Sequence, residues 1–444
     1  MNFSSYIPYY RRILVLALPV VLSQVGQVTV GLVDTMMIGH VGTTELAASA
    51  FANNVFLFGM LFGMGITIGM TPLTGEAFGS GNKKEIAKWL KNGMVTHVVT
   101  AMIISVLLFA LYFTLPYMGQ TEKVVELAKP YYLILCASYM PFLLYFSVKQ
   151  FLEGIGNTKY AMQITIISNL VNILANYVLI FGKWGFPELG LVGAGIGTLI
   201  SRLIMPFLWL IYFNYLPEIK HYFIEARNEI LEWKRIRKLL AIGVPIGFQI
   251  VIEISAFIIG AIMMGWIGET ELAAHQVAIG LAGFTFMICL GISQATTIRI
   301  SHQMGQQDYK SLKHVAYAST HLILLFMSFM AVAFILGRNI LPILFTSDQD
   351  VIEIASQLLI IAAIFQLFDG LQVIMLSILR GMADVRTPMF IAIFTYIFIA
   401  LPISYFFAFD FGYGPPGIWY GYLVGLGLAG ILFYRRFLYI LKKH

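Results

Sequence analysis

Residues 13–38 read ILVLALPVVLSQVGQVTVGLVDTMMI, a long apolar stretch whose only charged residue is Asp34. About 20 apolar residues in a helix cross the hydrocarbon core of a bilayer, so this stretch is long enough to span. An ionised carboxylate inside it costs at least a few kcal/mol (roughly 3), unless it is paired, lines a wet cavity, or holds a proton or cation. The stretch therefore predicts a membrane helix carrying a functional acid, and the rest of the chain repeats that pattern. Further stretches of spanning length fall at 46–70, 92–115, 127–148, 160–182 and 190–215, then at 238–265, 272–298, 314–337, 351–378, 387–409 and 416–437. Turn signals such as Gly79-Ser80-Gly81-Asn82 and Gly154-Ile155-Gly156-Asn157 separate them. The fold class expected is an all-α integral membrane protein of about twelve helices.

Composition excludes the soluble classes. Of 444 residues 59% are hydrophobic and only 11% charged, against roughly 25% charged in a soluble domain. Cys136 and Cys289 both lie in apolar runs and are read as packing residues, so neither a disulfide framework nor a zinc site is expected. The first apolar stretch is too long for a signal-peptide core, and residue 1 is taken as part of the mature protein.

Lys and Arg concentrate in alternate loops: Lys83, Lys84, Lys88 and Lys91; Lys149 and Lys159; Lys234, Arg235, Arg237 and Lys238; Arg299, Lys310 and Lys313; Arg380 and Arg386. The other loops hold only Lys123, Lys129, Lys183 and Arg338, whereas Arg11, Arg12, Arg435, Arg436, Lys442 and Lys443 mark both ends of the chain. Basic loops stay cytoplasmic. The expected location is the cytoplasmic (inner) membrane with both termini inside, and the net charge of +6 is a signal of topology rather than of nucleic-acid binding.

The chain is also internally repeated. Pro19 matches Pro245, and Gly39 through Ala48 matches Gly265 through Ala274, at a constant offset of 226 that holds at Gly65/Gly291, Gly79/Gly305 and Lys84/Lys310. The offset becomes 227 at Leu152-Glu153-Gly154 against Leu379-Arg380-Gly381. Two six-helix lobes follow, 1–215 and 238–444, joined by a polar cytoplasmic linker at 216–237 in which a surface helix is expected to rest its apolar side on the leaflet. Six helices per half is an even number, so the halves enter the membrane in the same sense, with a pathway between them.

The acids are not copies of one another, because Asp34 answers Gly260 and Glu253 answers Gln27. Each acid has amides on its own helical face: Gln27 seven residues before Asp34, Gln249 four before Glu253, and Gln366 and Gln372 three either side of Asp369. Asn169, Asn172 and Asn176 form a polar stripe on the fifth span, which can either join helices or offer carbonyl oxygens to a hard cation. Thr198, in the glycine-rich start of the sixth span, is a further possible oxygen ligand, and Arg202 is a deep basic residue given no transport role. Ion-coupled transport is the reading that uses these residues. No Walker A or HExxH pattern is present, so ATP is not the expected energy source and an enzyme is not expected.

Val33-Asp34-Thr35-Met36-Met37-Ile38-Gly39, the repeated Gly-x-x-Gly-x-x-Glu-Leu-Ala-Ala element, Leu152 through Thr158, Asn172-x-x-x-Asn176-Tyr177 and Leu379-Arg380-Gly381 together resemble the multidrug and toxic compound extrusion (MATE) family, NorM-type branch. The resemblance implies a V-shaped exporter of amphipathic, mostly cationic compounds, working as an antiporter on inward Na+ or H+. It implies an N-lobe coupling site at Asp34, Asn172, Asn176 and Thr198 and a C-lobe site at Glu253 and Asp369, with Gln27, Gln249, Gln366 and Gln372 as auxiliary polar groups. Some members carry an acid where this chain has Asn176, so its N-lobe site holds less negative charge. No cofactor beyond the coupling ion is implied, and the partners are small-molecule cations and membrane lipid, with the protein acting as a monomer. A lipid-linked oligosaccharide flippase of related architecture is the alternative, but a diphosphate headgroup would call for several bases in the cavity.

Overall fold

The structure, a computed structural model, describes residues 6–443 apart from the side chain of Glu218. Among the described residues every long element is helical, and twelve stretches are long and apolar enough to cross a membrane. They comprise α1 (Ile7–Val41), α2 (Thr43–Ile68) continued by α3 (Met70–Gly79), α4 (Lys83–Tyr112), α5 (Glu122–Gly154), α6 (Lys159–Phe181) and α7 (Gly190–Tyr215). After the short linker helix α8 (Pro217–Asn228) come α9 (Trp233–Ile267), α10 (Glu269–Gln306), α11 (Tyr309–Gly337) and α12 (Gln349–Gly381). The eleventh span starts as α13 (Arg386–Ala392), widens into π-helical turns at Ile393–Ala400, tightens at α14 (Leu401–Tyr405) and widens again at Phe406–Asp410; α15 (Pro415–Leu441) is the last. All twelve expected spans are present.

Several helices run further than their apolar cores because polar caps extend them. Asn82 accepts from the Glu85 backbone N–H at 3.1 Å and starts α4. Asp308, 226 residues on, accepts from Ser311 N–H at 2.9 Å and starts α11. Each satisfies one of the free N–H groups of a first helical turn. The repeat extends to the backbone: Gly81 (φ 71) and Gln307 (φ 56) both sit left-handed just before these caps.

The chain divides into two compact units, Leu22–Gly247 (here the N-terminal unit) and Phe248–His444 together with Met1–Val21 (the C-terminal unit). The beginnings of α1 and α9 are thus exchanged between units. In the N-terminal unit the start of α9 lies against α2 through glycines: a Cβ at Gly69 would fall 2.8 Å from the Gly243 Cα. The C-terminal unit repeats the device, since a Cβ at Gly291 would lie 2.9 Å from the backbone nitrogen of Val21 on α1. Backbones can approach this closely only where one partner has no side chain. Pro19 and Pro245 lie inside α1 and α9, each two residues before the unit boundary, where the missing N–H weakens the helical ladder.

The linker differs from expectation in one respect. α8 forms, but Ile219 and Ala226 are buried, Phe223 tilts against Phe213 of α7, and Phe151 of α5 meets Tyr222 and Phe223 edge-on. Part of its apolar side is covered by aromatic partners at the ends of α5 and α7, while Ile224 stays exposed.

Candidate functional site

The polar centre of the N-terminal unit forms where α1, α6 and α7 meet. Gly197 on α7 makes it possible: a Cβ there would land on the Asn176 side-chain oxygen. With that space left open, Asn176 Nδ2 donates to Asp34 Oδ1 at 2.6 Å. Asn172, one turn earlier, decides the chemistry. Its amide nitrogen faces the acid, donating to Asp34 Oδ1 at 2.9 Å and to Oδ2 at 3.3 Å, which suits the ionised form. The Asn176 Oδ1 is buried and unpartnered among the described residues, which leaves one more carbonyl-type oxygen free at the site. Buried polar atoms are rarely left in this state without water or an ion.

Around this core, Ser201 Oγ is 3.4 Å from the Asn172 amide and donates to the Thr198 carbonyl at 2.8 Å. Thr198 joins only through that backbone oxygen; no hydrogen bond links its hydroxyl to Asp34 among the described residues. Gln27 is half-buried and likewise unbonded to Asp34. Arg202 donates to Ser138 Oγ at 2.8 Å and lies over the Phe142 ring, 4.6 Å from its centroid, and its charge is felt at Asp34. A cavity of about 670 Å³ opens between α2 and α4, with walls apolar apart from Asn54 and Thr100, and no acid lines it.

The C-terminal unit is built differently. Asp369 is 6% exposed on α12, and Glu253 is half-buried on α9, near enough that the two like charges act on one another. Neither carboxylate has a hydrogen bond among the described residues. The amides expected beside them are engaged elsewhere. Gln249 Oε1 accepts from Arg380 at 3.3 Å and Gln366 Oε1 from Thr285 at 3.2 Å, while both polar atoms of the Gln372 side chain are buried and unpartnered. Arg380 is the compensating charge nearest Glu253, and its Nε is buried without a partner. Tyr396, from the π-helical turns of the eleventh span, is buried with its hydroxyl towards Gln372 but without a well-formed hydrogen bond, and the charges of both acids act on it. Wide helical turns of this kind commonly mark functional sites, because they turn a side chain off the regular helical face.

A family model described as MatE matches the chain twice, over residues 19–178 and 245–406. The chain belongs to the MATE family. The two matches begin at Pro19 and Pro245, the offset already read from the sequence. This MATE chain is 32% identical to "Probable multidrug resistance protein NorM" of Agrobacterium fabrum, over 99% of its own length and 96% of the relative's. It is 31% identical to "Multidrug resistance protein MdtK" of Yersinia pseudotuberculosis, over 99% and 97%. Its fold matches that of the Vibrio cholerae MATE transporter VcmN in the bent form, with TM-score 0.88 and 20% identity over 99% and 98% of the two chains. The eukaryotic MATE transporter AtDTX14 gives TM-score 0.85 at 17% identity, over 98% and 96%. MATE proteins are transporters, so this multi-pass membrane protein is not an enzyme.

Ser138, Ser201, Arg380 and Tyr396 carry no site signal in the sequence. Arg380 lies beyond the expected apolar span 351–378 and reads as a loop base, whereas α12 runs on to Gly381. Tyr396 carried no signal, since it is one of many aromatics and its placement depends on turns that helical periodicity does not anticipate. Among the described residues no three His, Cys, Asp or Glu side chains converge. A cation in either unit would therefore depend on one or two carboxylates and neutral oxygens.

Proposed function

We propose that this protein is an antiporter that exports amphipathic, mostly cationic organic compounds from the cytoplasm, driven by inward Na+ or H+, through alternating access. The observation that carries the reading is the half-buried acid Asp34 held by two amides, Asn176 at 2.6 Å and Asn172 at 2.9 Å, beside an unpartnered Asn176 oxygen. A proton or Na+ bound there lets Asn172 and Asn176 offer oxygens; without it, the Asn172 amide turns its nitrogen to the ionised acid. Ion occupancy thereby changes the hydrogen bonding between α1 and α6, and a ligand that binds two such arrangements unequally shifts their populations. Neutralising the acid also removes its attraction for an organic cation, so drug and ion compete.

Asp34, Asn172 and Asn176, with Thr198 at their edge, are assigned to the N-terminal coupling site, and Glu253 and Asp369 to a second. The names of the Agrobacterium and Yersinia relatives, both multidrug resistance proteins, support the cargo class. The basic loops support residence in the cytoplasmic membrane with both termini inside. The protein works as a monomer and without ATP.

The test is efflux of a fluorescent organic cation from proteoliposomes of the purified protein, with Na+ and pH gradients imposed separately. Export driven by one gradient and abolished by Asp34→Asn is the expected result. No movement under either gradient overturns the antiporter reading.

A further inference from the structure

The two exchanged helix starts are held in chemically opposite ways. In the N-terminal unit, Arg235 at the start of α9 forms a fork with Glu85, at 2.7 and 2.9 Å, and donates to Glu232 at 2.9 Å. Lys88 adds a 3.5 Å contact to Glu232, and Arg235 and Lys238 both lie over Trp89. Two acids thus balance the bases that gather where α9 meets α4.

Applying the 226 offset to that network gives its counterpart in the C-terminal unit. Glu85 becomes Ser311, Glu232 becomes Tyr6, Arg235 becomes Tyr9, Lys88 becomes His314 and Lys238 becomes Arg12. The fork is replaced by one long Tyr9–Ser311 hydrogen bond of 3.5 Å and by Tyr9 stacked on His314. Both acids are gone, and a base has been added: Arg299 stands where the N-terminal unit has Leu73. The charge of Arg12, of the same sign, acts on Arg299, and the Arg299 Nε is buried without a partner. Neither arginine has an acidic partner among the described residues. Two acids of the neighbouring loops are already used: Asp308 caps α11, and Asp384 accepts from Arg436 Nε at 2.6 Å.

A half-buried arginine with an unpartnered Nε beside a second base favours an anion. We propose that Arg12 and Arg299 bind the phosphate of an anionic phospholipid headgroup, which supplies to the C-terminal unit the negative charge that Glu85 and Glu232 supply to the N-terminal one. Arg299 lies seven residues inside the end of α10 and is half-buried, unlike the exposed Lys84 in the first turn of α4, so surface basicity does not account for it. A guanidinium pair suits phosphate through forked N–H donation, and basic pockets at the ends of membrane helices take lipid headgroups. This inference concerns a site separate from the coupling acids and stands whether or not export is confirmed.

The test uses full-length protein in detergent, titrated separately with phosphatidylglycerol, phosphatidylcholine and inorganic phosphate, with bound lipid read by native mass spectrometry. Wild type should retain phosphatidylglycerol in preference to phosphatidylcholine. Arg299→Gln and Arg12→Gln should each weaken that retention about fivefold, the effect of removing one juxtamembrane basic contact, and Lys84→Gln should leave it unchanged. Arg12 is exposed at the start of α1, so its variant carries the test if Arg299→Gln does not fold. Equal retention by all variants, or equal retention of the two lipids, overturns the site. Displacement of the lipid by millimolar inorganic phosphate would reassign it to a free anion.

Discussion

The N-terminal and C-terminal polar centres occupy two copies of one scaffold, yet they share no functional residue. In the first, the acid is bonded directly by Asn176 at 2.6 Å. In the second, neither acid has a hydrogen bond among the described residues, and amide atoms of Gln249, Gln366 and Gln372 are buried and unpaired. The reason lies in complementary substitutions. Where α1 carries Asp34, α9 carries Gly260, and a Cβ at Gly260 would collide with the hydroxyl of Tyr422. On the last helix of each half Gly190, Gly193 and Gly197 pair with Gly414, Gly417 and Gly421 at an offset of 224, so Tyr422 stands where α7 has the smaller Thr198. Such a change also occurs between α5 and α12, whose starts and ends both keep the 227 offset. Phe142, under Arg202, answers Asp369, and Leu426 answers Arg202. A duplicated fold can thus hold two unlike sites, because the residues around each polar group, Gly260 beside Tyr422 and Phe142 beside Arg202, changed with it.

The largest effect that would break this comparison is on transport. Asp34→Asn should reduce gradient-driven efflux to background, a loss of more than about tenfold, since a charge-assisted hydrogen bond is worth about 1.5–3 kcal/mol and the site loses its titratable group as well. Wild-type efflux from that variant would remove Asp34 from the coupling site. Next comes coupling within the second site. A double-mutant cycle of Glu253→Gln and Arg380→Gln, followed by thermal unfolding in detergent, should give an interaction of about 1–2 kcal/mol. Additive effects would mean that Arg380 does not balance Glu253.

The complementary glycine gives a third test. Gly260→Ala should cost about 1–3 kcal/mol through overpacking against Tyr422, and an unchanged melting temperature would show that the ring can move aside. The two helix starts differ by less. Arg235→Gln should cost about 1–2 kcal/mol by leaving Glu85 without its fork, whereas Tyr9→Phe, which removes a 3.5 Å bond, should cost under about 0.5 kcal/mol. The smallest effect is a gain. Gln307 holds the left-handed conformation that Gly81 holds in the other half, so Gln307→Gly should stabilise by about 0.5–1 kcal/mol.

Much of this was legible in the chain. A run such as 13–38 must be a spanning helix in any fold that buries it, and a lone acid within it must find a partner. Asn172 and Asn176, four apart on one helix, announced a polar face, and that face meets Asp34. The amides beside Glu253 and Asp369 were equally visible, but same-face spacing says nothing about which neighbour they serve. Gln249 turns to Arg380 and Gln366 to Thr285, both on other helices.

Helix existence, the duplication and the presence of costly acids follow from local composition and from the bilayer's demand that backbone polar groups bond within each segment, so the sequence by itself determined them. Which amide serves which acid, where α1 and α9 pass from one unit to the other, how the π-helical turns bring Tyr396 to the acids, and why Gly260 must stay small were decided only in the tertiary structure. Each depends on a close approach between helices far apart in the chain. Such approaches are set by volume and hydrogen-bond complementarity across an interface, and periodicity along one helix carries no record of them.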